Sequence, residues 1–304
     1  MIKNYLSLIK FSHTVFALPF ALIGVFLGVT DWQHSGRIIP THSWNLVSQF
    51  QQTETAYVVK TIVLVILCMV FARSAAMAFN RYVDRKIDKK NPRTAVREIP
   101  AGIIEAKSAL SFTILMSLLF IFSAFLINSL CFALSPVALA VVLGYSFTKR
   151  FTSLCHLVLG LGLSLAPIGA YLSVTAQFSF IPLLFSLLVL CWVSGFDIIY
   201  ALQDDEFDKG EGLHSIPASL GRKNALLLSR FLHLIVIAIL VTILFFGDFG
   251  MWYKAGAIVF SGLLFYQHTL VKPDDLRKVN LAFFTANGIG SVLFAIFVIT
   301  DLLT

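Results

Sequence analysis

The chain has 304 residues, 58% of them hydrophobic and only 13% charged, with a mean hydropathy of +0.86. A soluble domain carries about 25% charged residues, so this composition describes an integral membrane protein. The net charge of +7 is gathered in particular loops, which speaks for membrane topology and against nucleic-acid binding.

A membrane-spanning helix needs about 20 mostly apolar residues. Nine runs meet that measure: 12–30, 57–79, 108–127, 131–147, 154–175, 180–200, 224–246, 251–270 and 280–302. The expected fold is all-α and polytopic, with about nine transmembrane helices. Lys3 and Lys10 precede the first run as in a signal peptide, but no A-x-A-like site follows Val29, so the run reads as a retained helix. The polar 31–56 segment, with Trp32, Trp44, Gln49, Gln51 and Gln52, reads as a long external loop or a short interfacial segment without chemistry. Pro19, Pro136 and Pro167 fall inside apolar runs; such prolines bend helices, which serves either packing or, beside small residues, a central cavity. Cys68, Cys131, Cys155 and Cys191 form no CxxC pair, so neither a disulfide framework nor a zinc site is implied.

Loop charge sets the orientation. With the N-terminus inside, 18 of the 23 basic residues lie on the inner side, against Arg37, Lys60 and Lys254 outside. The bias places the segments around 81–107, 149–150, 201–223 and 272–278 in the cytoplasm, as expected for a multi-pass protein of the cell inner membrane.

Two of those segments carry matched acids. Asp84 and Asp88 follow the second run, and Asp204 and Asp208 follow the sixth. In a helix, a spacing of four residues is about 6 Å of rise and about 40° of rotation, so each pair lies on one face. Four carboxylates on one side of a membrane repel unless cations stand between them. Oxygen-only ligands in carboxylate pairs suit Mg²⁺, which keeps waters and completes its shell with phosphate oxygens. Asn80 adds an amide oxygen one turn before Asp84, and Tyr200 stands in the same relation to Asp204. Asp197, two turns before Asp204, is an acid inside an apolar helix and hence a functional candidate. Arg73, at comparable depth, is either its partner or a bidentate grip for an anionic substrate group. Lys149, Arg93 and Arg97 are cations placed to hold phosphate, Tyr145 sits one turn before Lys149, and His214 follows the second motif. His13, His156, His233 and His268 lack ligand spacing and read as structural. The motif repeat suggests related halves at about 1–150 and 151–275 with a ninth helix at 280–302, all within one membrane domain over 1–304.

Asn-x-x-x-Asp-x-x-x-Asp at Asn80, Asp84 and Asp88, with Tyr-x-x-x-Asp-x-x-x-Asp at Tyr200, Asp204 and Asp208, resembles the paired signatures of the UbiA superfamily of intramembrane aromatic prenyltransferases. Asn91-Pro92-Arg93-Thr94, Arg97 to Gly102 and Gly195 to Tyr200 look like its 4-hydroxybenzoate polyprenyltransferase-type branch, which includes futalosine-route menaquinone members. Arg81 departs from the family's frequent Asn-Asp start and is assigned no metal role.

The resemblance implies a central cavity open to lipid, a cap over the cytoplasmic motifs and a role in ubiquinone or menaquinone biosynthesis. The implied reaction is Mg²⁺-dependent transfer of a polyprenyl group from its diphosphate to an aromatic small molecule. Asp84, Asp88, Asp204 and Asp208, with Asn80, would hold the metal; Lys149 and Arg97 would hold the diphosphate; Asp197 or a motif aspartate would take the ring proton. No obligatory protein partner beyond the lipid bilayer is implied. An ion-coupled membrane transporter is the alternative, but it places its carboxylates near the midplane rather than at a lysine-flanked interface.

Overall fold

A computed structural model describes residues 7–8, 17–34 and 54–304. The start of the first expected helix, Lys3, Lys10, Arg37 and residues 35–53 of the expected loop lie outside the described residues. The described residues form ten helices: α1 (Leu18–His34), α2 (Glu54–Lys90), α3 (Ala106–Ile127), α4 (Ser129–Thr148), α5 (Cys155–Thr175), α6 (Phe180–Ala201), α7 (Asp205–Gly210), α8 (Ile216–Phe246), α9 (Met251–Leu270) and α10 (Asn287–Leu303). A 3₁₀ turn, Leu202–Asp204, links α6 to α7, and a helical turn with a π turn (Ala282–Ala286) leads into α10. Each of the nine apolar runs overlaps helical structure among the described residues. Seven helical segments are long and apolar enough to cross a membrane, so the expected count of nine spans is not reached among the described residues. The described part of α1 has 17 residues, and α9 carries Lys254, Gln267 and His268.

The chain divides into two compact units: 1–14 with 40–147, and 15–39 with 148–304. In the first, α2 is a continuous helix of 37 residues, about 55 Å at 1.5 Å per residue. That exceeds the roughly 30 Å hydrocarbon core, so one end stands clear of the lipid. It packs along α3. Leu115, Leu118 and Phe122 on α3 are exposed, as lipid contact allows. After Lys90 the chain turns: Thr94 Oγ1 donates to the Asp88 carbonyl (3.1 Å) and the Arg93 N–H to Asn91 Oδ1 (2.9 Å), satisfying groups at the helix end. Leu8 is buried with Ala78, Ile104 and Ala109, and Ser7 donates to Glu98.

In the second unit, glycines set how closely the helices approach. A Cβ on Gly24 of α1 would overlap the Pro167 carbonyl of α5, and one on Gly160 of α5 would overlap Ser194 and the Leu190 carbonyl of α6. Close helix contact through small residues is the usual membrane solution, since lipid provides no hydrophobic drive between helices. Around α6, Trp192 meets Phe20, Phe196 and Phe260 at centroid distances of 5.0–5.7 Å. Its indole N–H donates to Asn287 Oδ1 (3.0 Å), while Asn287 Nδ2 donates to the carbonyls of Ala282 and Phe283 in the π turn.

Candidate active site

The first motif rides the protruding end of α2. Because the helix runs unbroken through it, Asn80 Nδ2 reaches Asp84 Oδ2 at 3.0 Å, as the spacing requires. Asp88, one turn on, is buried, and Arg97 Nη1 from the following loop stands 2.7 Å from its Oδ1. Its Oδ2 is buried with no hydrogen-bond partner among the described residues. Arg93 is exposed in the same loop. Phe147 of α4 packs edge-on against Phe79, which brings the end of α4 that carries Tyr145 alongside the motif. Arg73, lower on α2, has a buried Nε with no hydrogen-bond partner among the described residues.

The second motif is built differently. α6 ends at Ala201, the 3₁₀ turn covers Leu202–Asp204, and α7 begins at Asp205. Asp204 has φ −113° and ψ 3°, outside helical geometry, so the helical register expected from Tyr200 and Asp197 to Asp204 is interrupted. Asp208 is fully buried on α7, with Lys149 Nζ 2.7 Å from its Oδ1 and no hydrogen-bond partner for Oδ2 among the described residues. Asp205, next in the chain after Asp204, is gripped bidentately by Arg222 at 2.9 Å on each oxygen, and Arg222 also touches Glu206. Arg222 is aimed there by Gly221, whose φ of +76° breaks α8.

The loop after the motif is stitched by its backbone. The Leu213 N–H donates to the Asp208 carbonyl and the His214 N–H to the Lys149 carbonyl, each at 2.8 Å. His214 therefore contributes backbone, while its side chain is exposed. Tyr200 lies ring to ring with Phe283, centroids 4.3 Å apart. Two readings change. Asp197 has a partner that the sequence reading did not name, His156, with Nδ1 2.7 Å from Oδ2. His156 is therefore more than packing. Its signal was a polar side chain in an apolar run with a second lone polar group, Asp197, in the next.

Among the described residues no three His, Cys, Asp or Glu side chains gather tightly enough to hold a metal by themselves. Each motif offers a carboxylate pair instead. Buried carboxylate oxygens without donors, Asp88 Oδ2 and Asp208 Oδ2, fit an oxygen-preferring divalent ion that takes the rest of its shell from water and phosphate. The residues present thus suit Mg²⁺.

The UbiA prenyltransferase family model matches residues 38–289. The chain belongs to the UbiA prenyltransferase family. It is 33% identical over 239 residues to the 4-hydroxybenzoate octaprenyltransferase of Nitrosomonas europaea, covering 77% of this chain and 80% of that one. It is 30% identical over 233 residues to the same-named enzyme of Aliivibrio fischeri, covering 77% and 81%. The apo structure of a UbiA homolog from Aeropyrum pernix K1 matches with TM-score 0.75 and 27% identity over 96% of this chain and 97% of that one. A UbiA homolog from Archaeoglobus fulgidus bound to DMAPP and Mg²⁺ matches with TM-score 0.73 and 21% identity over 99% of each chain. This UbiA chain is accordingly an all-α membrane prenyltransferase of the 4-hydroxybenzoate polyprenyltransferase branch, and the ion-coupled transporter is set aside.

Proposed function

We propose that the chain transfers a polyprenyl group from polyprenyl diphosphate to an aromatic acid resembling 4-hydroxybenzoate, as a step of quinone biosynthesis. The reaction runs with Mg²⁺ on the cytoplasmic side of the cell inner membrane, in a cavity open to lipid. The observation that carries the reading is a repeated arrangement. In each motif the last aspartate, Asp88 or Asp208, is buried and paired at 2.7 Å with one cation from outside the motif, Arg97 or Lys149. A carboxylate buried beside a single mobile cation is suited to binding a metal together with the metal's anionic partner.

In this reading Asn80, Asp84, Asp88, Asp204 and Asp208 hold Mg²⁺. Bound Mg²⁺ supplies positive charge where negative charge grows on the departing diphosphate. Lys149 and Arg97, already beside the motif carboxylates, grip the diphosphate, with Arg93 and the backbone around His214 at the rim and Tyr145 one turn from Lys149. Arg73 holds the carboxylate of the aromatic acid, since its buried Nε has no partner among the described residues and a guanidinium matches a carboxylate in a bidentate fork. Tyr200 and Phe283 offer aromatic faces to the allylic cation. The lipid-soluble tail explains why the chemistry sits in a bilayer.

The test is incorporation of labelled polyprenyl diphosphate into a lipid-soluble product of 4-hydroxybenzoate, with and without Mg²⁺. Product identified by mass spectrometry as the ring-prenylated acid supports the reading. Wild-type protein that makes none from any prenyl diphosphate and aromatic acid offered overturns it.

A further inference from the structure

The buried contact between α5 and α6 ends in a pair of polar side chains. Gly160 lets the two helices close up, and Ser194 Oγ donates to the His156 carbonyl across the gap at 3.2 Å. One turn from each of these residues, His156 and Asp197 meet with 2.7 Å between Nδ1 and Oδ2. The other ring nitrogen, Nε2, accepts from the backbone N–H of Ile216 at 3.3 Å. A backbone N–H only donates, so Nε2 must carry the lone pair and the ring proton sits on Nδ1, directed at the carboxylate. Ile216 opens α8 directly behind the loop that is hydrogen-bonded to Lys149 and Asp208. One histidine thus ties a deep carboxylate to the loop of the second motif. The Asp197 side chain keeps 16% of its surface accessible, while that of His156 keeps 4%. The acid is reachable; the imidazole is not.

We propose that Asp197 accepts the proton released by the aromatic ring and that His156 is its positioning residue; this rests on the prenyl-transfer reading above. The ring carbon attacks the allylic carbon as its C–O bond breaks, and diphosphate leaves with the bonding pair. The new C–C bond leaves the ring carbon still bearing its hydrogen. That proton passes to the Asp197 carboxylate and the C–H pair returns to the ring, restoring aromaticity. His156 holds Oδ2 by its single N–H, so that Oδ1 is left to face the proton.

The experiment compares His156→Phe, His156→Asn, Asp197→Asn and the His156→Phe/Asp197→Asn double variant, with 4-hydroxybenzoate and one polyprenyl diphosphate. General-base groups contribute about 10²–10⁴-fold. His156→Phe should lower kcat about 10- to 100-fold with the KM for prenyl diphosphate little changed, and His156→Asn, which keeps an N–H near Nδ1, should recover most of the loss. The double variant should be no slower than Asp197→Asn, because groups that act as one unit do not add. With 4-hydroxybenzoate deuterated at the attacked carbon, the rate ratio should rise from near one in the wild type to about two or more in His156→Phe, since proton loss has become slow. A residue that only packs would move thermal stability, not that ratio. His156→Ala carries the same readings if the phenylalanine does not insert. Losses that multiply in the double variant, an asparagine as slow as phenylalanine, or an unchanged isotope ratio overturn the proposal. Wild-type inactivity, by contrast, strikes the prenyl-transfer reading itself.

Discussion

The two aspartate motifs share a spacing but not a backbone. The first lies on one unbroken helix, where four residues deliver one face and Asn80 bonds Asp84 directly. The second crosses a 3₁₀ turn into a six-residue helix, and its geometry is held from outside, by Arg222 on Asp205 and by the loop stitched to Lys149. A continuous helix carries its own register; a broken one borrows it from tertiary contacts. The first motif should therefore respond mainly to changes within it, and the second to changes well away from it.

The largest effects test what the motifs share. Asp84→Ala and Asp208→Ala should each lower prenyl transfer by about 10³-fold or more, as for a lost metal ligand at the reacting phosphate, without preventing membrane insertion. Radiolabelled product formation and membrane fractionation check this. Chelating the divalent metal should match these losses, and Mg²⁺ should reverse them. Next, Lys149→Ala should destabilise more than Arg97→Ala, since Asp208 is completely buried and Asp88 slightly exposed. Stranding a buried acid costs about 1–3 kcal/mol, measurable as a fall in thermal midpoint in detergent.

Smaller effects separate the motifs. Gly221→Ala forces a side chain into a left-handed φ at a cost of about 1–3 kcal/mol and turns Arg222 away from Asp205. It should weaken pyrophosphate–Mg²⁺ binding several-fold; unchanged binding would show that the second motif keeps its own shape. Asn80→Ala removes one hydrogen bond of about 1 kcal/mol together with a neutral amide oxygen of the proposed metal shell, and should slow turnover by at least about fivefold, less than loss of a motif carboxylate. At the far end stands the surface pair of Asp275 and Arg277, 2.8 Å apart, where the guanidinium holds the carboxyl well below the usual carboxylate range. Such pairs contribute little to stability, so Arg277→Ala should leave activity and thermal midpoint unchanged.

The helices were legible because nine long apolar runs leave few alternatives in a membrane. Their ends were less so. α2 runs on to Lys90, beyond the expected 79, because nothing polar in 80–90 breaks a helix before Asn91-Pro92. α8 begins at Ile216, ahead of the expected 224, and the sign was present: Ser215 caps Ala218 and Pro217 occupies the first turn. The acids themselves stood out by repetition. The break after Ala201 did not, since no glycine or proline marks it. Nor did the link from His156 to Asp197, where 41 residues separate two polar groups that meet only when α5 and α6 pack.

The bond from Trp192 to Asn287 offers a built-in optical probe. This indole is completely buried among phenylalanines, whereas Trp252 is exposed. A chain keeping only Trp192 would emit at short wavelength while α10 stays docked and shift to the red when Asn287 lets go. Docking of the last helix then becomes visible in real time without an added dye.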